Sequence, residues 1–108
     1  MKQQWKYLQL ERSDRILQVR FQAENPVNSL SNALMRELTQ LAVALQDDTD
    51  LNAIILTGAE NTFSAGMDLT DPESAAFPSM TQAQKRKLVQ IGPRMCAAWE
   101  ALEPVTIA

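Results

Sequence analysis

Ala53-Ile54-Ile55-Leu56-Thr57-Gly58 decides the fold. A continuous apolar run rich in β-branched side chains, with no polar alternation, suits a strand covered on both faces, as in a parallel sheet. Gly58 ends it. Immediately upstream, Leu34, Leu38, Leu41 and Leu45 recur at helical spacing, which predicts a helix from about Ser31 to Gln46 behind the linker Asn25-Pro26-Val27-Asn28-Ser29. Ser31 or Ser29 can accept from a free N–H of its first turn. Asp47-Asp48-Thr49-Asp50 forms a polar exit whose acids oppose the helix dipole. Further upstream, Leu17, Val19 and Phe21 alternate with Gln18, Arg20 and Gln22, the pattern of a half-buried strand. It is read as the second strand of a hairpin spanning Trp5 to Gln22 that turns through Arg12-Ser13-Asp14-Arg15. Strand, helix and buried strand make a right-handed βαβ crossover, so the fold class is α/β.

Downstream, Gly58 through Met80 has no sustained periodicity and carries Gly66, Pro72 and Pro78, so it reads as a long loop with or without short helical turns. Loops of that length within compact domains are commonly functional. Thr81-Gln82-Ala83-Gln84 is a capping box opening a second helix, with an apolar stripe through Leu88, Ile91, Met95, Trp99 and Leu102. Pro93 cannot donate to the carbonyl of Val89 and crowds it, which predicts a bend or break near Gly92-Pro93. Pro104-Val105-Thr106-Ile107-Ala108 reads as the start of another buried strand with no turn after it. The expectation is a single incomplete domain over 1–108, the N-terminal portion of a longer fold.

Composition excludes several function classes. The 108 residues carry ten Lys and Arg against thirteen Asp and Glu, a net charge of −3, so no broad positive field exists for nucleic acid. Without histidine there is no imidazole for Ser-His or Cys-His catalysis, and one cysteine leaves too few ligands for a Cys/His zinc site; no metal is expected. The lone Cys96 cannot form an intramolecular disulfide, which fits a reducing, cytoplasmic compartment. The opening Met1-Lys2-Gln3-Gln4-Trp5-Lys6 lacks the apolar core of an export signal, and no run approaches the roughly 20 apolar residues of a membrane span. No membrane partner is expected.

Several chemically suggestive residues have plain readings. Lys85-Arg86-Lys87 is read as a solvated helix face, Cys96 as a buried structural thiol beside Met95, and Glu100 and Glu103 as surface carboxylates. The informative stretch is Asn61-Thr62-Phe63-Ser64-Ala65-Gly66-Met67-Asp68-Leu69, directly after the buried strand. Small side chains at Ser64, Ala65 and Gly66 would leave backbone N–H and C=O groups open, as an oxyanion-binding turn requires. An ordinary tight loop uses the same residues equally well.

Phe63-Ser64-Ala65-Gly66-Met67-Asp68-Leu69 resembles the Phe-x-Ala-Gly-x-Asp-Leu/Ile motif of the crotonase superfamily, the enoyl-CoA hydratases and isomerases. Asn25-Pro26-Val27-Asn28-Ser29-Leu30 is similar to the family's loop before its first helix. Ala53 to Gly58 resembles the strand leading into the motif, and Pro104 to Ala108 the approach to the next core strand. The resemblance covers nearly the whole chain in the right order. It implies a spiral of ββα units, of which this sequence supplies the hairpin, the first crossover and the start of the next turn.

It also implies that the backbone N–H of Met67 donates to a thioester oxygen, as the catalytic group. Val27, Ser64, Ala65, Gly66, Met67, Asp68 and Leu69 would form the CoA-binding and substrate-binding set. Within it, the Ala65 backbone and Val27 contact adenine and pantetheine, while Asp68 and Leu69 shape the turn. Coenzyme A enters as part of the acyl-CoA thioester substrate; no separate cofactor is implied. Phe63, Met67, Leu69 and Phe77 suggest an apolar pocket. The family's second oxyanion donor and its hydratase glutamates fall beyond Ala108, so the short chain alone is expected to be inactive. For the full-length protein the resemblance implies hydration of a 2-enoyl-CoA, with isomerisation or thioester hydrolysis as alternatives, and a homo-oligomer, trimer or hexamer. A non-catalytic binding or interaction module is the reading from a different class.

Overall fold

A computed structural model describes residues 5–58 and 61–108. The reading of residues 1–4 as lacking an export signal, and positions 59 and 60 of the long loop, lie outside the described residues. The chain forms β1 (Leu8–Ser13), β2 (Ile16–Phe21), α1 (Asn32–Leu45), β3 (Ala53–Thr57), α2 (Pro72–Ala75), a 3-10 turn (Phe77–Ser79), α3 (Gln82–Val89), α4 (Ile91–Glu100) and β4 (Val105–Ile107). The four strands lie in sequence order in one sheet: β1 runs antiparallel to β2, and β2, β3 and β4 run parallel. The architecture is of the α/β class, as the βαβ signature predicts.

The hairpin turns in two residues, Asp14-Arg15, with Asp14 at φ 55°, a left-handed conformation that Asp tolerates better than most side chains. α1 begins where its cap chemistry says it should: the Ser31 hydroxyl accepts from Leu34 N. Its leucine stripe, Leu34, Leu38, Leu41 and Leu45, packs on Leu17, Val19 and Phe21 of β2 and on Ile54 of β3. Leu34, Val19 and Ile54 are wholly buried, each contributing about 1.5–3 kcal/mol of apolar burial. At the helix exit Asp48 pairs with Arg12 of β1, an external partner for an acid that the helix dipole disfavours.

Three expectations change. β3 is not buried on both faces: Ile54 is buried, whereas Ala53, Ile55, Leu56 and Thr57 are partly exposed, because α1 covers one face of the sheet. β4 is exposed throughout, pairing with β3 at the sheet edge without a covering layer among the described residues. The second helix breaks, as Gly92-Pro93 predicts, at Gln90, just before that pair. α3 ends at Val89, Gln90 serves as its C-cap and α4 starts at Ile91, which puts Pro93 in the first turn of a new helix, where its missing N–H costs nothing and its ring no longer meets a continuing carbonyl ladder. Finally, Cys96 is exposed on α4, since the helix turns Met95 and Trp99 toward the core instead. Trp99 completes the packing by donating its indole N–H to Leu38 O at 2.9 Å. No helix among the described residues is long and apolar enough to cross a membrane.

Candidate active site

Two segments distant in sequence build the site. Residues 25–30 form a tight loop because the Asn25 side-chain oxygen accepts from both Val27 N (3.2 Å) and Ser29 N (3.0 Å). The motif segment lies alongside it, zipped by backbone bonds: Ala65 N donates to Val27 O at 2.9 Å, Leu30 N to Gly66 O at 2.7 Å, and Asp68 N to Leu30 O at 3.0 Å. Exposure alternates along 62–69, the period of extended chain: Phe63, Ala65, Met67 and Leu69 face out, and Thr62, Ser64, Gly66 and Asp68 are more covered.

This pairing revises the expectation that small residues leave the whole turn open. The N–H groups of Ala65 and Asp68 are bound to the neighbouring loop, and Gly66 N donates to the Ser64 hydroxyl at 3.1 Å. Met67 is the residue left over. It sits in a parallel bridge opposite Leu30, and in such a bridge the flanking residues make the bonds while the central residue's own N–H points the other way. Among the described residues its N–H has no acceptor. Gly66, at φ 100° with open space where a side chain would be, sets the turn that presents it.

Val27, Ala65, Met67, Asp68 and Leu69 come together around an open cleft of about 480 Å³. Met67 and Leu69 are 68% and 88% exposed, so apolar side chains stand ready at its rim. Ser64 and Gly66 do not line it; they hold the backbone behind it. The apolar quartet separates: Phe63 packs against Phe21 in a tilted arrangement, 5.1 Å between ring centres, and lines a separate 220 Å³ apolar cavity with Ser64, Met95 and Trp99. Phe77 lies instead under the Lys85 ammonium. Lys85 apart, the basic run of α3 is exposed, and so are Glu100 and Glu103.

Sequence reasoning missed three polar residues that hold the site: Asn25, Asn28 and Asp71. Asn25 and Asp71 each precede a proline, Pro26 and Pro72, which was their one local sign. Asp71 is 8% exposed and accepts from Asn32 N at 2.7 Å, the first N–H of α1, and from Glu73 N at 2.9 Å at the start of α2. One carboxylate thus caps two helices and ties the end of the motif loop to α1. Beside it, Glu73 receives both guanidinium nitrogens of Arg36, at 2.9 and 2.6 Å, and the Asn32 amide at 3.2 Å. The Arg36 hydrogen bonds hold the Glu73 carboxyl below its ordinary value of 4.5. A carboxyl depressed in the folded state stabilises above its unfolded value and stops doing so as pH falls through the folded one. The melting-temperature gap between the wild type and Glu73→Gln should therefore be present at pH 6 and close below pH 4.5. The pair is half exposed, so its worth is under about 1 kcal/mol. A gap that persists unchanged into acid would contradict the ion pair as its source.

Residues 11–95, well over half the chain, match the family model described as enoyl-CoA hydratase/isomerase. The chain belongs to this family. Among relatives of the enoyl-CoA hydratase/isomerase chain, a Mycobacterium bovis protein named "Probable enoyl-CoA hydratase echA8" is 34% identical over 68 residues, 63% of this chain and 26% of the relative. The 4-chlorobenzoyl coenzyme A dehalogenase-1 of an Arthrobacter species is 32% identical over 65 residues, 60% of this chain and 24% of that one. Among solved structures, Pseudomonas aeruginosa AtuE superposes with a TM-score of 0.82 at 25% identity, over 94% of this chain and 38% of its own. The chain therefore spans about a quarter of the length of these curated relatives.

Proposed function

We propose that this enoyl-CoA hydratase/isomerase family chain binds an acyl-CoA thioester at the 480 Å³ cleft, with the Met67 N–H donating to the thioester oxygen. The observation that carries the reading is the unpartnered Met67 N–H, fixed in direction by backbone bonds on both sides of it. A preorganised donor of this kind stabilises negative charge that develops on the oxygen as the α-carbon or β-carbon reacts; each such donor is worth about 3–4 kcal/mol when the site is complete. Val27, Ala65 and Leu69 supply the contacts to the CoA arm, and Met67's side chain faces the acyl group. The full-length protein adds water across a 2-enoyl-CoA, using carboxylates outside these 108 residues to activate water and protonate carbon. The likeness to a dehalogenase of comparable identity favours a second reading, in which the same oxyanion donor serves displacement at an aryl thioester.

Calorimetry with butyryl-CoA and with its thioether analogue S-butyl-CoA, which lacks the carbonyl oxygen, tests the donor. One hydrogen bond to a neutral carbonyl is worth about 1 kcal/mol, so the thioester should bind the chain about fivefold more tightly. Met67→Pro, which deletes the N–H, should erase the difference, and Met67→Ala should keep it. Equal affinities in the wild type would refute the assignment. With crotonyl-CoA the purified 108-residue polypeptide should show no appreciable turnover, because a single N–H without a second oxyanion donor and the carboxylates that work on water and carbon cannot complete hydration. Measurable hydration would contradict that.

A further inference from the structure

We propose that Asn28 is the positioning residue that aims the Met67 N–H, an inference that rests on the reading of Met67 given above. Asn28 is 2% exposed and holds φ 51°, a left-handed conformation that Asn tolerates at a small cost. A side chain buried to that degree must have its amide satisfied, and both halves are: Oδ1 accepts from Ala23 N at 3.3 Å and Nδ2 donates to Thr62 O at 3.3 Å. Its backbone carbonyl accepts a third bond, from the Ser64 hydroxyl at 2.7 Å. Asn28 thus fastens together the segment leaving β2, the entry to the motif and the motif itself.

The consequence is geometric. Register between residues 27–30 and 65–68 determines which motif N–H groups are consumed and which one is left over, because a slip of one residue in extended chain exchanges the inward and outward sets. With the observed register, Ala65 and Asp68 are consumed and Met67 is free. The Asn28 bonds to Thr62 and Ser64 lie just before that zipper and fix its starting point. Asn28 does not itself line the cleft; it acts through Ser64 and the Val27–Ala65 bond.

The test uses two variants of the 108-residue chain that keep the left-handed backbone accessible. Asn28→Asp retains the Oδ1 acceptor but sets a carboxylate oxygen against Thr62 O, and Asn28→Gly removes the side chain outright. Amide hydrogen exchange followed by NMR should show Ala65 and Asp68 exchanging at least about tenfold faster in both variants, with the amides of β2 and β3 unchanged. In parallel, the preference for butyryl-CoA over S-butyl-CoA should fall toward unity while S-butyl-CoA affinity stays as in the wild type. Unchanged exchange at Ala65 and Asp68 would overturn the proposal. So would faster exchange throughout the sheet, which is the mark of a generally structural residue. A wild type that does not prefer the thioester counts against the Met67 reading, and the exchange result then still decides whether Asn28 sets the register.

Discussion

Gly58→Ala is expected to destabilise the chain by about 3 kcal/mol or more, read as a lowered urea midpoint or as failure to fold. A Cβ at this position would overlap the Thr62 carbonyl oxygen and the Cα and carbonyl oxygen of Phe63, all of them backbone atoms that cannot rotate away. Overlap with a flexible side chain would be relieved cheaply; here the turn itself has to move. The carbonyl of Thr62 is also the acceptor for the buried Asn28 amide, so the displacement reaches the motif loop. Gly66→Ala is the informative comparison. Gly66 has open space around it and only its φ of 100° to lose, so the cost there is about 1–2 kcal/mol. Equal destabilisation at the two glycines would show that the close approach at Gly58 is not what fixes the turn.

Asp71→Ala should cost about 2–3 kcal/mol, because it leaves the first N–H of α1 and that of Glu73 without their charged acceptor in a largely covered place. Asp71→Asn retains one acceptor oxygen and should cost less. Equilibrium urea denaturation of the two variants measures both, and an alanine variant as stable as the wild type would mean that water replaces the carboxylate at both helix starts. The effect bears on the site: Asp71 N donates to Asp68 O at 3.4 Å while the Asp71 carboxylate holds α1, so this residue anchors the far end of the segment that Asn28 anchors at its start.

What the sequence revealed and what it withheld divide along a physical line. The β2, α1 and β3 units were legible because each repeats one chemical rule along a contiguous stretch: alternation at Leu17, Val19 and Phe21, helical spacing at Leu34 to Leu45, and a β-branched run at Ile54 and Ile55. Ser31 and the Thr81-Gln84 capping box were legible for the same reason, being local hydrogen-bond motifs. Exposure was not, since coverage of β3 and β4 depends on which layers pack against them. The direction in which Cys96 faces was not legible either: it adjoins Met95 in sequence but lies off the stripe of Met95 and Trp99 that α4 turns toward the core. At the site, the motif around Gly66 stood out, but its state of bonding did not. That Ala65, Gly66 and Asp68 are engaged and Met67 is left over follows from pairing with residues 27–30, more than thirty positions away in sequence. Asn28 and Asp71 were overlooked for the same reason: the bonds that tie them to the site, to Thr62 O and from Asn32 N, reach across more than thirty positions.

The central claim is that the Met67 N–H is the donor to a thioester oxygen, and the most direct measurement observes that proton. Titrating the ¹⁵N-labelled chain with butyryl-CoA, the account predicts that the Met67 amide proton moves downfield as a new hydrogen bond forms, and that S-butyl-CoA leaves it in place. Contact shifts at Val27, Ala65 and Leu69 should appear with both ligands. If both ligands shift the cleft residues alike and the Met67 proton responds to neither, the cleft binds the CoA arm but Met67 is not its oxyanion donor, and the account is contradicted.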